Sequence, residues 1–180
     1  MTDLLTGARR KDARRETIAE GAVLLHQFAA GQADSLVEAI ARIAAKAPFR
    51  HMITPGGYRM SVAMTNCGRA GWITDRRGYR YDGIDPETER PWPAMPTLFE
   101  ALAERAAAEA GFADFRPDAC LVNRYEPGSR LTLHQDKNER DFAQPIVSVS
   151  LGLPAVFLFG GSKRSDRPKR YVLESGDVAV

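Results

Sequence analysis

The chain has 180 residues, 44% hydrophobic and 27% charged, which is enough for one globular domain with a substantial core. A net charge of +2 does not by itself mark a nucleic-acid binder, and two cysteines, Cys67 and Cys120, are too few for a disulfide framework. No apolar run approaches membrane-spanning length and residues 1–20 contain no leader-like apolar stretch, so a cytoplasmic protein with reduced thiols is expected.

Residues 1–20 read as a polar, loosely ordered arm, because Arg9, Arg10, Lys11, Arg14 and Arg15 leave no apolar period. Residues 21–180 then form a single domain. Gly21 to Phe28 is a predicted strand, with His26 in it a packed or surface imidazole and not a ligand. A helix over 33–46 follows, with Leu36, Ile40 and Ile43 on one face and Ser35 capping its start. Thr54-Pro-Gly-Gly57 is a turn, and Tyr58, Met60, Val62 and Met64 alternate with Arg59, Ser61 and Ala63 as a strand would.

From Gly68 to Met95 the chain is rich in Gly, Pro, Arg and aromatics, the composition of a surface excursion more than of a core. Thr97-Leu-Phe-Glu100 reads as a capping box opening a helix to about Ala110, with Gly111 as its stop. Short alternating runs follow at Ala119–Tyr125, Arg130–Gln135, Ile146–Leu151, Val156–Phe159, Arg170–Leu173 and from Val178. Strands of this length and spacing predict an antiparallel sandwich or barrel with helices outside it.

The most informative stretch is Leu133-His-Gln-Asp-Lys137. In an extended segment His134 and Asp136 point the same way, offering an imidazole nitrogen and a carboxylate oxygen to one point. That is two-thirds of the 2-His-1-carboxylate site of non-haem Fe(II) oxygenases. His-x-Asp alone is a weak motif, and a hydrogen-bonded surface pair is the plainer reading of it. The flanks add weight. Asn123 and Tyr125 share one strand face, while Ser148 and Ser150 oppose Val147, Val149 and Leu151, as in the wall of a wet pocket. Two basic clusters, Arg76, Arg77 and Arg80, and Lys163, Arg164, Arg167, Lys169 and Arg170, are either solvated loops or phosphate-facing ones.

Six segments in order carry a more specific signal: Thr54-Pro-Gly-Gly-Tyr58, Met60 to Gly68, Pro91-Trp-Pro-Ala-Met-Pro96, Asn123-Arg-Tyr125, Leu133 to Lys137 and Pro145 to Pro154. Together they resemble the bacterial AlkB family of Fe(II)- and 2-oxoglutarate-dependent dioxygenases, which repair alkylated bases. The likeness covers about residues 21–180. It implies a double-stranded β-helix (jelly roll), mainly β in an α+β chain, with flanking helices and a nucleotide-recognition lid over 50–95. It makes His134 and Asp136 the catalytic iron ligands and places 2-oxoglutarate, with O2 as the other co-substrate, against the Asn123-Arg124-Tyr125 segment. Arg124 points to the opposite strand face from its two neighbours. Trp72 matches an aromatic that stacks on the extruded base, and Tyr79, Arg80 and Tyr81 match a segment gripping the damaged strand. Thr54, Met64, Arg130, Gln135, Lys137, Asn138 and Arg164 match other positions of the groove or base pocket. For Trp72 and Tyr79 the alternative is core packing, which their Gly/Arg-rich setting disfavours.

Two departures stand out. Asn138 occupies a position where an acidic residue is expected, and an amide both donates and accepts, which leaves base preference open. The family's second iron His and two Arg residues lie beyond the strand matched by Gly176 to Val180, whereas His26 and His51 lie upstream. The reading is therefore of a fragment lacking the last strands, inactive and poorly soluble alone. The implied activity of the intact protein is oxidative demethylation of N-alkylated bases in single-stranded or duplex DNA, with RNA as a further substrate, by a monomer that does not engage membranes. Formaldehyde would be the product. The alternatives are a hydroxylase of a protein or small molecule and a non-catalytic nucleic-acid-binding fragment.

Overall fold

The computed structural model describes residues 14–137, 139, 141–161, 163 and 165–180. Strand β1 (Arg15–Ala19) pairs antiparallel with β2 (Ala22–Leu25) around Gly21, whose φ of +69° makes the tight reversal. The expected arm is thus a strand in its last residues, because Ile18 has an apolar slot to fill beside Leu24. Residues 1–13 lie outside the described part. A four-stranded sheet is completed in the order β1, β2, β12 (Val178–Ala179), β9 (Ser148–Val149).

The unbroken Ala-Val-Leu-Leu run of β2 is explained by burial on both faces. Val23 and Leu25 pack with Val178 against Leu36 of α1 (Ala33–Lys46) and Leu102 of α2 (Thr97–Ala110). On the other face Leu24 and Ala179 meet Phe157, Phe159 and Tyr171 of an antiparallel hairpin, β10 (Ala155–Phe159) and β11 (Lys169–Leu173). The helices cover one face of the sheet and the hairpin the other.

Both helices have the expected span, but their entries differ from the capping expected. α1 has Gln32 before its first residue and no side-chain cap, with Ser35 already inside the helix. α2 likewise begins at Thr97 itself. Pro96 stands in the capping position, and its carbonyl accepts from Phe99 and Glu100 N–H, so Thr97 cannot play the capping role. Gly111 does stop α2, in the left-handed region at φ +105°.

The third cluster reverses the reading of 68–95 as surface excursion. β3 (Ala63–Gly68) pairs with β8 (Ala119–Arg124), and two hairpins, β4 (Gly71–Asp75) with β5 (Gly78–Asp82) and β6 (Ile84–Asp85) with β7 (Arg90–Pro91), follow β3. Ile73 and Trp92 are buried with Ala47, Met52, Val62 and Met64. The return of the chain from β3 to β4 is held by one side chain: the Asn66 amide donates to the Trp72 carbonyl and accepts from its N–H, at 3.1 and 3.0 Å. Gly71 is obligatory, since a Cβ there would lie 2.4 Å from the Trp92 ring.

Several predicted strands are shorter or absent; that over Gly21–Phe28 is reduced to Ala22–Leu25. Residues 58–62 take no regular strand; the turn at Thr54–Gly57 forms, and the ladder begins only at Ala63. Ile146–Leu151 contributes only Ser148–Val149. Arg130–Gln135 is irregular, since among the described residues no strand pairs with it and alternation alone cannot supply ladder hydrogen bonds.

Candidate functional site

His134 and Asp136 sit on that irregular segment, yet their side chains converge: Nε2 and Oδ1 are 3.6 Å apart. Both are about half exposed, at 56% and 53% of the side chain, so a solute reaches them without any opening of the fold. The imidazole is oriented by its other nitrogen. Nδ1 lies 2.7 Å from the Thr132 carbonyl, which can only accept, so Nδ1 carries a proton and Nε2 is the nitrogen turned toward Asp136. A ligating histidine typically has this backing. Donor atoms about 2.0–2.2 Å from a divalent ion can lie up to about 4 Å from each other, and the 3.6 Å gap falls inside that limit. The pair thus offers two donors within reach of one ion. Among the described residues no cluster of three or more His, Cys, Asp or Glu side chains could hold a metal.

The segment is anchored from β3's approach. Ser61 Oγ donates to the Arg130 carbonyl at 2.9 Å and accepts the Arg130 N–H at 3.3 Å, and Ser129 Oγ donates to the Ser61 carbonyl at 3.0 Å. Leu131 packs under it on the Met64 cluster. From the far side, the Tyr81 phenol donates to Glu139 at 2.7 Å, three residues beyond Asp136. Burial and then the Glu139 carboxylate push the Tyr81 phenol above its ordinary range, so it remains a donor.

β4 and β5 place Trp72 and Tyr79 on one surface, rings stacked at 5.7 Å between centroids and inclined by 25°. Tyr79 is exposed while Trp72 also touches the Met64 cluster, so the surface and core readings each describe one edge of the pair. Arg80 does not project freely. Its guanidinium donates to Asp75 at 3.0 and 2.9 Å, and Arg80 and Arg77 hold the Asp75 carboxyl well below the usual carboxylate range.

Asn123 and Tyr125 are exposed at the end of β8, and Asn123 stands opposite Met64. Arg124 faces the reverse side, its guanidinium 4.7 Å above the Phe49 ring and 3.6 Å from Glu126, away from its two neighbours. Met64 is only 1% exposed, inside the core, so it cannot touch a ligand in this arrangement. Thr54 caps its own turn, accepting the Tyr58 N–H at 3.1 Å, while Arg130, Gln135 and Lys137 are exposed around the His-x-Asp segment. Asn138 and Arg164 lie outside the described residues. In the second basic cluster, Lys163, Arg167, Lys169 and Arg170 are exposed around a turn closed by Asp166.

Sequence reasoning overlooked Ser61, the Thr132 carbonyl and Glu139. None bears a signature: one is a lone serine 69 positions from its partner, one a main-chain atom, one an ordinary surface acid.

A family model described as the 2OG-Fe(II) oxygenase superfamily matches residues 21–180. The chain belongs to that superfamily. Within it, the chain is 60% identical to the Alpha-ketoglutarate-dependent dioxygenase AlkB of Escherichia coli (strain K12), across 92% of this chain and 77% of that protein. The Salmonella typhimurium protein of the same name is 58% identical over the same shares. Among solved structures, that of OsALKBH1 superposes with a TM-score of 0.78 at 28% identity, covering 92% of this chain and 81% of that one. These relations place the chain in the AlkB branch of the Fe(II)/2-oxoglutarate dioxygenases, with Fe(II), 2-oxoglutarate and O2 as its co-reactants. The sheet-rich architecture with two described helices is that of the superfamily. No described helix is long and apolar enough to cross a membrane.

Proposed function

We propose an oxidative demethylase of N-alkylated nucleic-acid bases in which His134 and Asp136 are the two described iron ligands. The observation that carries the reading is the convergence of an oriented Nε2 and a carboxylate oxygen at 3.6 Å in a chain of this family. Relatives support the substrate class: the human protein named Nucleic acid dioxygenase ALKBH1 is 35% identical over 61% of this chain, and a Schizosaccharomyces pombe relative is named tRNA demethylase abh1.

Bound iron with 2-oxoglutarate and O2 would supply the oxidising power for hydroxylation of the alkyl group, with formaldehyde as the product released. The chain's residues bind and orient. Thr132 keeps the His134 proton on Nδ1 so that Nε2 stays a ligand. Asn123 and Tyr125 offer an amide and a phenol to 2-oxoglutarate. A base in a duplex must be extruded before its nitrogen is reachable, and Trp72 and Tyr79 on the β4–β5 hairpin provide aromatic faces to receive it. That hairpin acts as a recognition lid, with Tyr81 joining it to the segment that carries the ligands. Lys137 and Arg130, exposed beside the pair, meet flanking phosphates.

The test is formaldehyde and succinate production from a methylated single-stranded oligonucleotide by the intact protein and by its His134→Ala and Asp136→Ala variants. Both products should disappear in both variants while the fold persists, because each change removes a ligand and no core contact. Succinate production at the parental rate by both variants would refute the ligand assignment.

A further inference from the structure

Behind the strand that carries Asn123, β3 and β8 set the two cysteines of the chain directly opposite each other. Cys67 and Cys120 are Cα partners in the antiparallel register, and both are free thiols. Directly opposed residues have Cα atoms about 4.5 or 5.5 Å apart, and both values lie within the about 4.4–6.8 Å that a disulfide spans. Opposed side chains also leave the same sheet face, so no backbone rotation is needed to bring sulfur to sulfur. The register is fixed two ways. Gly68 stands opposite Ala119 with no room for a Cβ, which would meet the Asp118 carbonyl at 2.6 Å, and Arg69 N–H bonds that carbonyl at 2.8 Å.

The two thiols differ. Cys67 is fully buried, whereas Cys120 retains some exposure. Their mutual hydrogen bond, with burial, raises the Cys67 thiol; the same bond lowers the Cys120 thiol against its own burial. Cys120, the more accessible of the two, is the thiol that a small oxidant reaches first, with Cys67 directly behind it.

We infer that Cys67 and Cys120 form a peroxide-responsive dithiol, with Cys120 the attacking and Cys67 the resolving thiol. The Cys120 thiolate attacks one oxygen of hydrogen peroxide, the O–O bond breaks, hydroxide leaves, and sulfur becomes a sulfenic acid. The Cys67 sulfur then attacks that sulfur. The S–S bond forms as the S–O bond breaks, and the departing oxygen leaves as water with the Cys67 proton. In sum two thiols lose two electrons and two protons, and one peroxide becomes two waters. The pair lies on the reverse face of β8 from Asn123, so it is separate from the proposed reaction site. This assignment does not depend on the demethylase reading.

The experiment treats the folded chain with hydrogen peroxide in the presence of a metal chelator, then counts thiols after denaturation and maps peptides without reductant. Both thiols should be lost, a single intrachain Cys67–Cys120 peptide should appear, and dithiothreitol should restore both. Cys67→Ser should accumulate a Cys120 sulfenic acid trapped by dimedone, and Cys120→Ser should leave Cys67 reduced. Retention of both thiols, or their loss into intermolecular links or sulfonic acids, would overturn the inference on the unsubstituted chain alone. Dimedone trapping of Cys67 instead of Cys120 would overturn the assigned roles.

Discussion

Replacing Asp85 by alanine should be strongly destabilising, because it strands a buried cation. Arg50 and Asp85 are 9% and 1% exposed and paired in a two-pronged bond, with Arg50 Nη2 to Asp85 Oδ2 at 2.7 Å. Asp85 also accepts the Glu87 N–H at 2.9 Å. Removing one partner of a buried pair costs about 3–5 kcal/mol, since the survivor keeps its desolvation penalty and loses its compensation. Arg50 retains the Trp92 ring at 5.5 Å and the exposed Glu87 at 3.4 Å, which pulls the expectation toward the lower end. For a domain of this size, roughly 2–4 °C of Tm per kcal/mol turns 3–5 kcal/mol into a fall of about 6–20 °C. Circular-dichroism melts of the parent and of Asp85→Ala at pH 7 measure it. An apolar Arg50→Met, Asp85→Leu pair should recover most of the loss. The pH dependence carries a sign. Burial raises the Asp85 pKa, but the Arg50 hydrogen bonds and charge, the Glu87 N–H and the Thr88 hydroxyl together outweigh it, leaving the folded value depressed. Its contribution is therefore complete above the unfolded carboxylate pKa and fades as pH falls through the lower folded one. Parent and variant curves should converge on acidification. A loss under about 1 kcal/mol at pH 7, or curves that diverge in acid, would refute the account.

Gly71→Ala should destabilise by roughly 1–3 kcal/mol, the usual cost of overpacking, because its methyl would collide with the Trp92 ring; an unchanged urea midpoint would contradict this. Trp72→Ala should weaken binding of methylated single strands by roughly 1–3 kcal/mol by fluorescence anisotropy, with a large Tm loss at unchanged affinity favouring a packing role instead. Lys137→Ala should flatten the dependence of log affinity on log salt by about one contact's worth, and an equal slope would place it away from phosphate.

What the sequence conveyed well were periodic or punctuated features: the spans of α1 and α2, the Gly111 stop, the Thr54–Gly57 turn, the β8 and β10–β11 runs. Each is specified by neighbours in the chain. What it conveyed poorly depended on distant partners. Composition made Gly68–Met95 look like surface because Gly, Pro and Arg usually mark loops, yet Asn66, Trp92 and Asp85 fold that stretch onto β3 through contacts spaced across the chain. Alternation at Arg130–Gln135 suggested a strand that needs a ladder partner to exist. At the site, strand alternation pointed to the approach of His134 to Asp136, yet the two meet on an irregular segment. The burial of Met64 did not, because a methionine facing a pocket and one facing the core read identically in sequence.

The acceptor that fixes the His134 tautomer is a main-chain oxygen, so substitution at position 132 cannot delete it while the loop keeps its path. Mutational risk is thereby moved elsewhere. The path is held by Ser61, whose hydroxyl and carbonyl meet residues 129 and 130, so a loss-of-function variant of this site can arise at a small serine that touches neither ligand nor substrate. The ligands are thus not the site's only vulnerable positions: an ordinary-looking serine shares the risk.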